Sequence, residues 1–388
     1  MIQLYENKKK CYGCTACFCA CNFDAIKMDS DGMGFLYPTI DADKCVECGA
    51  CVRVCPQKNV TENPEHIAYA IKHKDDNVRL NSTSGGAFTL LSDYILENDG
   101  VVFGAAFDDN YNVIHTAAMD KEHRNKQRIS KYVQSELNDV FFDVKSYLEA
   151  NRQVLFVGTP CQVAGIKMYL GKDYNNLYLI DLICHGVAAP KIWKSYIKHI
   201  SKKYGDIKNY LFRDPSISWD GINTSIVLKN NRTVTNSRQL NIFNILYWNN
   251  FITRPSCEEC KYASKKRVGD ITLGDFWGVE KHYPSFRDYK GVSMVLINSN
   301  KGEHLFELVK DNCDYIKLYK GEYDQPHLKE PVKRNPECME LEKDYIKYGF
   351  MYVVKRYCGY GLKSKIASIL RILGILKFVK PQKSKEKI

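Results

Sequence analysis

Three features of the sequence predict a mixed chain, between α+β and α/β, built in three parts. Eight of sixteen cysteines fall into two copies of one spacing within the first 60 residues. A long region then alternates apolar strand-like runs with helical patterns, and the last residues are rich in lysine. The expected organisation is a cysteine-rich module over residues 1–60, a mixed α/β core over 61–355 and a basic amphipathic tail over 356–388. The core divides into an N-terminal part, 61–150, and a C-terminal part, 151–355.

The first cysteine run is Cys11-x2-Cys14-x2-Cys17-x3-Cys21, and the second is Cys45-x2-Cys48-x2-Cys51-x3-Cys55, followed by Pro56. This is the bacterial ferredoxin spacing for 4Fe–4S clusters, in which the fourth cysteine of each run ligates the other cluster. Cys11, Cys14, Cys17 and Cys55 are therefore expected to hold one cluster. Cys45, Cys48, Cys51 and Cys21 are expected to hold the other. Zinc usually takes paired cysteines and fits two three-plus-one runs poorly. Disulfides need an oxidising compartment, and residues 1–10 carry no apolar signal segment, so a cytoplasmic location is expected. Two details depart from the pattern. Asn22 stands where a proline follows the second run, and Cys19 is an extra thiol inside the first, read as a packing residue. Asp29-Ser30-Asp31-Gly32-Met33-Gly34 between the runs is a turn signal for a hairpin joining two half-modules.

Residues 61–80 are polar and read as a linker. Ser84-Gly85-Gly86 then opens a helical pattern through Leu90, Leu91, Tyr94 and Ile95. Residues 101–106, 153–157 and 177–183 are apolar runs of strand length, with helical segments between them, which indicates parallel pairing. Residues 224–234 alternate as an antiparallel hairpin does, and 271–275 and 292–297 read as further strands.

Two of these strands lead into a cysteine, Cys161 and Cys184, and ligands of open α/β sheets bind outside the carboxyl ends of strands. Cys257-x2-Cys260 adds a thiol pair. Together the four could ligate a third metal centre. Taken singly each reads as a buried packing residue, and the Cys257–Cys260 pair alone is also compatible with a zinc knuckle or a redox dithiol. Ser84-Gly85-Gly86 before a helix reads either as a tight turn or as a phosphate cradle. No G-x-G-x-x-G and no P-loop is present. His185, beside Cys184, reads as a packing residue or a proton donor. Cys313, Cys338 and Cys358 have no ligand spacing and read as structural.

Several short motifs occur in order over the core. They are Ser84-Gly85-Gly86, Ser130-Lys131-Tyr132-Val133-Gln134-Ser135, Gly158-Thr159-Pro160-Cys161-Gln162, Asp181-Leu182-Ile183-Cys184-His185-Gly186, Phe212-Arg213-Asp214 and Cys257-Glu258-Glu259-Cys260. The last is Gly269-Asp270-Ile271-Thr272-Leu273-Gly274-Asp275-Phe276-Trp277-Gly278. In these motifs residues 80–300 resemble the coenzyme F420 hydrogenase/dehydrogenase beta-subunit family, in which an N-terminal dicluster ferredoxin also occurs. The resemblance implies an oxidoreductase whose core binds FAD beside a 4Fe–4S cluster. It places flavin contacts on Ser84, Gly85, Gly86, Lys131, Tyr132, Gly158, Thr159 and Asp275, and a third cluster on Cys161, Cys184, Cys257 and Cys260. It also implies that electrons pass between clusters and FAD to a two-electron acceptor, coenzyme F420 or another small molecule. A ferredoxin-like protein or a redox enzyme is the expected partner. A second reading stays open, an electron-transfer subunit without a substrate site of its own that docks on a partner enzyme.

The net charge of +11 is concentrated at one end. Residues 363–388 hold seven Lys, one Arg and one Glu, a local +7 that leaves +4 on the other 362. No basic stripe is left for nucleic acid, and no apolar stretch is long enough to span a bilayer. Ile366, Ile369, Leu370, Leu373 and Leu376 follow helical spacing ahead of Lys377, Lys380, Lys383, Lys385 and Lys387. Such a helix either lies on the anionic inner face of a membrane or packs on the body.

Overall fold

The hairpin expected between the cysteine runs is formed by β1 (Ile26–Ser30) and β2 (Leu36–Ile40), which pair Ile26 with Ile40 and Ser30 with Leu36. Its turn is held by the Asp31 carboxylate, which accepts from the N–H groups of Met33 and Phe35 at 2.9 and 3.0 Å. The chain is described by a computed structural model over residues 2–58, 62–63 and 65–360. The tail expected from the sequence therefore lies outside the described residues beyond residue 360. Gly34 turns with φ +92°, and the space its Cβ would need is taken by the Lys191 backbone nitrogen at 2.8 Å. That N–H donates to the Met33 carbonyl at 3.0 Å, so the hairpin tip is fixed to the start of helix Pro190–Tyr204.

The core strands are β3 (Ile67–His73), β4 (Val101–Phe107), β5 (Val113–Ala118), β6 (Val154–Gly158) and β7 (Leu177–Leu182). They continue with β8 (Ile207–Leu211), β9 (Ser225–Leu228), β10 (Thr233–Thr235), β11 (Ile271–Asp275), β12 (Ser293–Ile297) and β13 (Cys313–Leu318). Eight of them form one mixed sheet in the order β13-β3-β12-β11-β7-β6-β4-β5. β4, β6, β7 and β11 run parallel, while β5 and β12 run against them. The parallel strands lie under helices on both faces, which is why β6 is buried at every residue and reads as an unbroken apolar run. β8, β9 and β10 form a separate antiparallel sheet that contains the hairpin read over 224–234.

Residues 61–80 do not form a linker. They supply β3, which lies between β12 and β13 and pairs Ile71 with both Ser293 and Tyr315, and the helix Asp76–Leu80. Ala68, Ala70 and Ile71 are buried there. The apolar run of β3, Ile67 to Ile71, sits between charged flanks, and its partners lie more than 200 residues away in sequence. Among the described residues no helix is long and apolar enough to cross a membrane.

The carboxyl ends of β4, β6, β7 and β11 share one edge of the sheet. That edge is stiffened by Asp181 on β7, which is fully buried. Its carboxylate accepts from Arg267 Nη2 at 2.7 Å, from Thr272 Oγ1 at 2.6 Å and from the N–H of Gly269 at 3.0 Å. The pair anchors the segment after Cys260 to the sheet. Removing one partner of a buried pair leaves an uncompensated charge, so Arg267→Ala should cost about 3–5 kcal/mol, read as a lowered unfolding midpoint. An unchanged midpoint would show that the pair is not a structural anchor.

His115 on β5 is buried, its Nε2 lies 3.1 Å from the Val157 carbonyl, and its ring stacks on Phe156. Burial pushes its pKa down from 6.5 to about 4. The unfolded chain then takes up the proton first, so stability is lost as pH falls from about 6.5 towards 4. His115→Asn should reduce the fall in melting temperature across that window, measured by thermal denaturation at stepped pH.

Candidate functional site

The two cysteine runs repeat in backbone as well as in spacing. Cys45 follows Cys11 by 34 residues, and left-handed residues recur at that offset, Gly13 with Glu47 and Thr15 with Gly49. Each pair leads into a four-residue helix, Ala16–Cys19 and Ala50–Arg53. A left-handed conformation costs an L-residue about 1–2 kcal/mol. Thr15 and Glu47 bear that cost where the chain coils around a common centre.

Cys11, Cys14, Cys17 and Cys55 line one cavity with about 420 Å³ of open space, together with Cys51 of the second set. This is the grouping expected from crossed ligation. The other set gathers beside it, since the Cys51 thiol is raised by burial and by its neighbours Cys21 and Cys45. Cys48 of that set is exposed. The structure thus distinguishes an inner quartet from an outer one. Cys19 is buried in the apolar cluster with Val140 and Phe141, apart from the cavity.

A second cavity of about 550 Å³ is lined by Cys161, Cys184, Cys257 and Cys260, with Thr159, His185 and Arg254. Tertiary structure brings these four together from the first turn of helix Pro160–Leu170 after β6, from the loop after β7 and from the 3-10 turn Pro255–Glu259 and its cap. Burial pushes the Cys184 thiol well above 9.0, Cys257 to about 11 and Cys260 to about 12, with neighbouring thiols adding to each. Four thiols facing one cavity can ionise together beside a strong cation, as they do in a thiolate metal site. Among the described residues no three His, Cys, Asp or Glu side chains converge on a single ion. A 4Fe–4S cube takes its four thiolates around a wider centre than a single ion does.

The two cavities adjoin. Tyr12 lines both, and its ring stands 5.5 Å from that of Tyr262, whose hydroxyl donates to the carbonyl of Pro56 after Cys55. Helix Pro160–Leu170 serves both quartets. Cys161 lies in its first turn, and Gly165, four residues on and on the same face, lies against Cys14. A Cβ at Gly165 would stand 3.0 Å from Cys14 Sγ. The helix start is fixed by a capping box in which Gln162 Oε1 accepts from the Thr159 N–H at 3.0 Å.

The eight residues expected from the resemblance to contact a flavin lie around the same sheet edge. Thr159 is the one among them that lines the second cavity, with Oγ1 3.2 Å from Cys161 Sγ, and Gly158 precedes it at the end of β6. Asp275 ends β11 and accepts from Arg213 Nη1 at 2.5 Å and Trp219 Nε1 at 2.9 Å. Tyr132 stacks on Tyr247. Burial pushes Lys131 down to about 7, and its Nζ donates to the carbonyls of Arg128 and Ile129. Gly85 packs so closely on β3 that a Cβ would meet the Ile71 carbonyl at 2.2 Å, and Gly86, with φ +92°, caps helix Ala87–Glu97. The loop of Ser84 meets that of Arg128 where the Ser130 N–H donates to Thr83 Oγ1. Ser84 Oγ and Arg128 Nε have no protein partner among the described residues.

His185 bonds His327 at 2.8 Å and Asn250 at 2.8 Å. Cys313, Cys338 and Cys358 are buried. Sequence reasoning passed over Tyr12, Gly165, Arg254 and Tyr262. Only their positions beside cysteines, Tyr12 after Cys11 and Arg254 three before Cys257, hinted at a role.

Paired cysteine runs on a repeated backbone, joined to a mixed α/β core with a further cysteine quartet, define an iron–sulfur protein of the electron-transfer class. Residues 151–320 match the family model described as the C terminus of the coenzyme F420 hydrogenase/dehydrogenase beta subunit. Residues 10–59 and 37–83 match two models, each described as a 4Fe-4S dicluster domain. The chain therefore joins an N-terminal 4Fe–4S dicluster ferredoxin domain to a region that matches the C terminus of the coenzyme F420 hydrogenase/dehydrogenase beta subunit. Over 62 residues it is 42% identical to a component of the Na(+)-translocating ferredoxin:NAD(+) oxidoreductase complex of Acetobacterium woodii. That match covers 16% of this chain and 17% of that protein. Among solved structures, the F420-reducing NiFe hydrogenase complex from Methanosarcina barkeri aligns with a TM-score of 0.45 at 17% identity, over 78% of this chain and 95% of that one.

Gly165→Leu should push Cys14 out of place and lower the iron content by about four per chain. Anaerobic iron analysis beside far-ultraviolet circular dichroism checks this. Full iron in a folded variant would remove Cys14 from the inner quartet.

Proposed function

We propose that the chain is an iron–sulfur flavoprotein oxidoreductase whose three cysteine quartets lead from the surface to a two-electron site at the carboxyl edge of the sheet. The observation that carries this reading is Tyr12, which lines the inner-quartet and core-quartet cavities at once. When bound, 4Fe–4S clusters supply one-electron relay, and FAD supplies the exchange between one- and two-electron chemistry.

The residues divide the task. Cys48 is exposed and Val46 beside it is 57% exposed, so the outer quartet can meet a ferredoxin-like protein or a redox enzyme. Tyr12 and Tyr262 fill the space between the inner and core quartets and keep water from it. Beyond the core quartet, Thr159 presents a hydroxyl where the flavin ring is expected. Gly86 offers a helix N-terminus, and Ser84 and Arg128 offer unpaired donors, to a phosphate. Lys131 supplies a cation of lowered pKa. The acceptor on this reading is a small molecule that stacks on the flavin, coenzyme F420 or another.

Anaerobic quantitation tests the proposal. The chain should carry about twelve irons and a flavin that acid releases. Cys48→Ser should keep the flavin yet accept electrons from reduced ferredoxin far more slowly. Iron without flavin would point to an electron-transfer subunit that lacks its own substrate site.

A further inference from the structure

Five arginines are buried in the described residues, and four of them are matched by a carboxylate. Arg79 pairs with Asp288, Arg124 with Asp93, Arg213 with Asp275 and Arg267 with Asp181. Arg254, 1% exposed, is the exception. Its Nε and Nη2 donate to the Cys11 carbonyl at 3.1 and 3.0 Å, Nη2 also donates to the Leu36 carbonyl at 2.9 Å, and Nη1 donates to Gln134 Oε1 at 2.7 Å. Its guanidinium lies over the Tyr37 ring at 4.4 Å. All of these partners are neutral.

A buried cation with neutral partners is costly unless a charge nearby compensates it. The position of Arg254 supplies the candidates. It lines the core-quartet cavity, and its Nη2 lies 4.0 Å from Cys11 Sγ of the inner quartet. A 4Fe–4S core held by four thiolates is net negative, and its reduction potential follows local charge and hydrogen bonding.

We propose that Arg254 is the buried counter-charge shared by two clusters, the one on Cys11, Cys14, Cys17 and Cys55 and the one on Cys161, Cys184, Cys257 and Cys260. It raises both potentials and ties the N-terminal module to the core electrostatically. The inference rests on the three-quartet reading above. A cation between two anionic centres favours the reduced form of each, so the inner and core clusters answer to one side chain. The outer cluster, on Cys45, Cys48, Cys51 and Cys21, does not.

The test is a potentiometric titration of the reconstituted full-length chain, followed by electron paramagnetic resonance, with iron counted in each sample. Arg254→Gln should keep the iron and move two of the three centres to more negative potentials, leaving the third in place. Arg254→Lys, which keeps the charge, should bring both back towards wild type. Where Arg254→Gln loses iron, Gln134→Glu reads the same charge with the arginine in place, because it sets a carboxylate against Nη1. It should lower the same two potentials. Unmoved inner and core potentials in Gln134→Glu, or an equal shift at all three centres, overturns the proposal. Fewer than three centres in the wild-type chain overturns it together with the reading beneath it, and wild-type iron and spectra report that before any variant is made.

Discussion

The seating of the first cysteine loop on the core is the contact on which the other arrangements depend. Gly165 has no side chain where Cys14 comes to rest, and the same helix face carries Cys161 one turn earlier. A larger residue there would hold the loop away, and the two cavities would no longer share Tyr12. Arg254 closes the junction from the other side through the Cys11 and Leu36 carbonyls. The surface ion pairs of Lys9 and Lys10 with Glu258 and Glu259 lie nearby, but exposed pairs of this kind contribute about 0–1 kcal/mol. Close packing and buried hydrogen bonds, more than surface charge, hold the junction.

The sheet positions the rest. Parallel β4, β6, β7 and β11 deliver their following segments to one edge, where the helix after β6 carries Cys161 and the loop after β7 carries Cys184. The second thiol pair reaches the same edge because Arg267, seven residues after Cys260, is buried against Asp181 on β7. Asp181 and Arg267 beside the cavity are fully hydrogen-bonded, while the cavity's own thiols have burial as their main influence.

Much of this was legible in the sequence because it is local. The spacing of Cys11 to Cys21 and of Cys45 to Cys55 fixes the loop geometry, and the turn at Asp31 and Gly34 fixes the hairpin. The apolar runs at β4, β6 and β7 announce themselves because a doubly covered strand needs no polar face. β3 was not legible. Its apolar run between charged flanks gains its stability from β12 and β13, and nothing within a local window reports a partner so distant in sequence.

The sequence by itself determined which thiols could form the two ferredoxin-type quartets, since ligand spacing over a few residues dictates how a chain can wrap a cube. Which of the two lies inside was decided only by the tertiary structure, which exposes Cys48 and buries Cys14 against helix Pro160–Leu170. The core quartet was decided there too. Cys161, Cys184, Cys257 and Cys260 are scattered over a hundred residues of sequence, and only the parallel sheet and its buried ion pair bring them to one cavity. Arg254 belongs to the same class, because a charge is informative only when its neighbours are known, and its neighbours come from three separate parts of the chain.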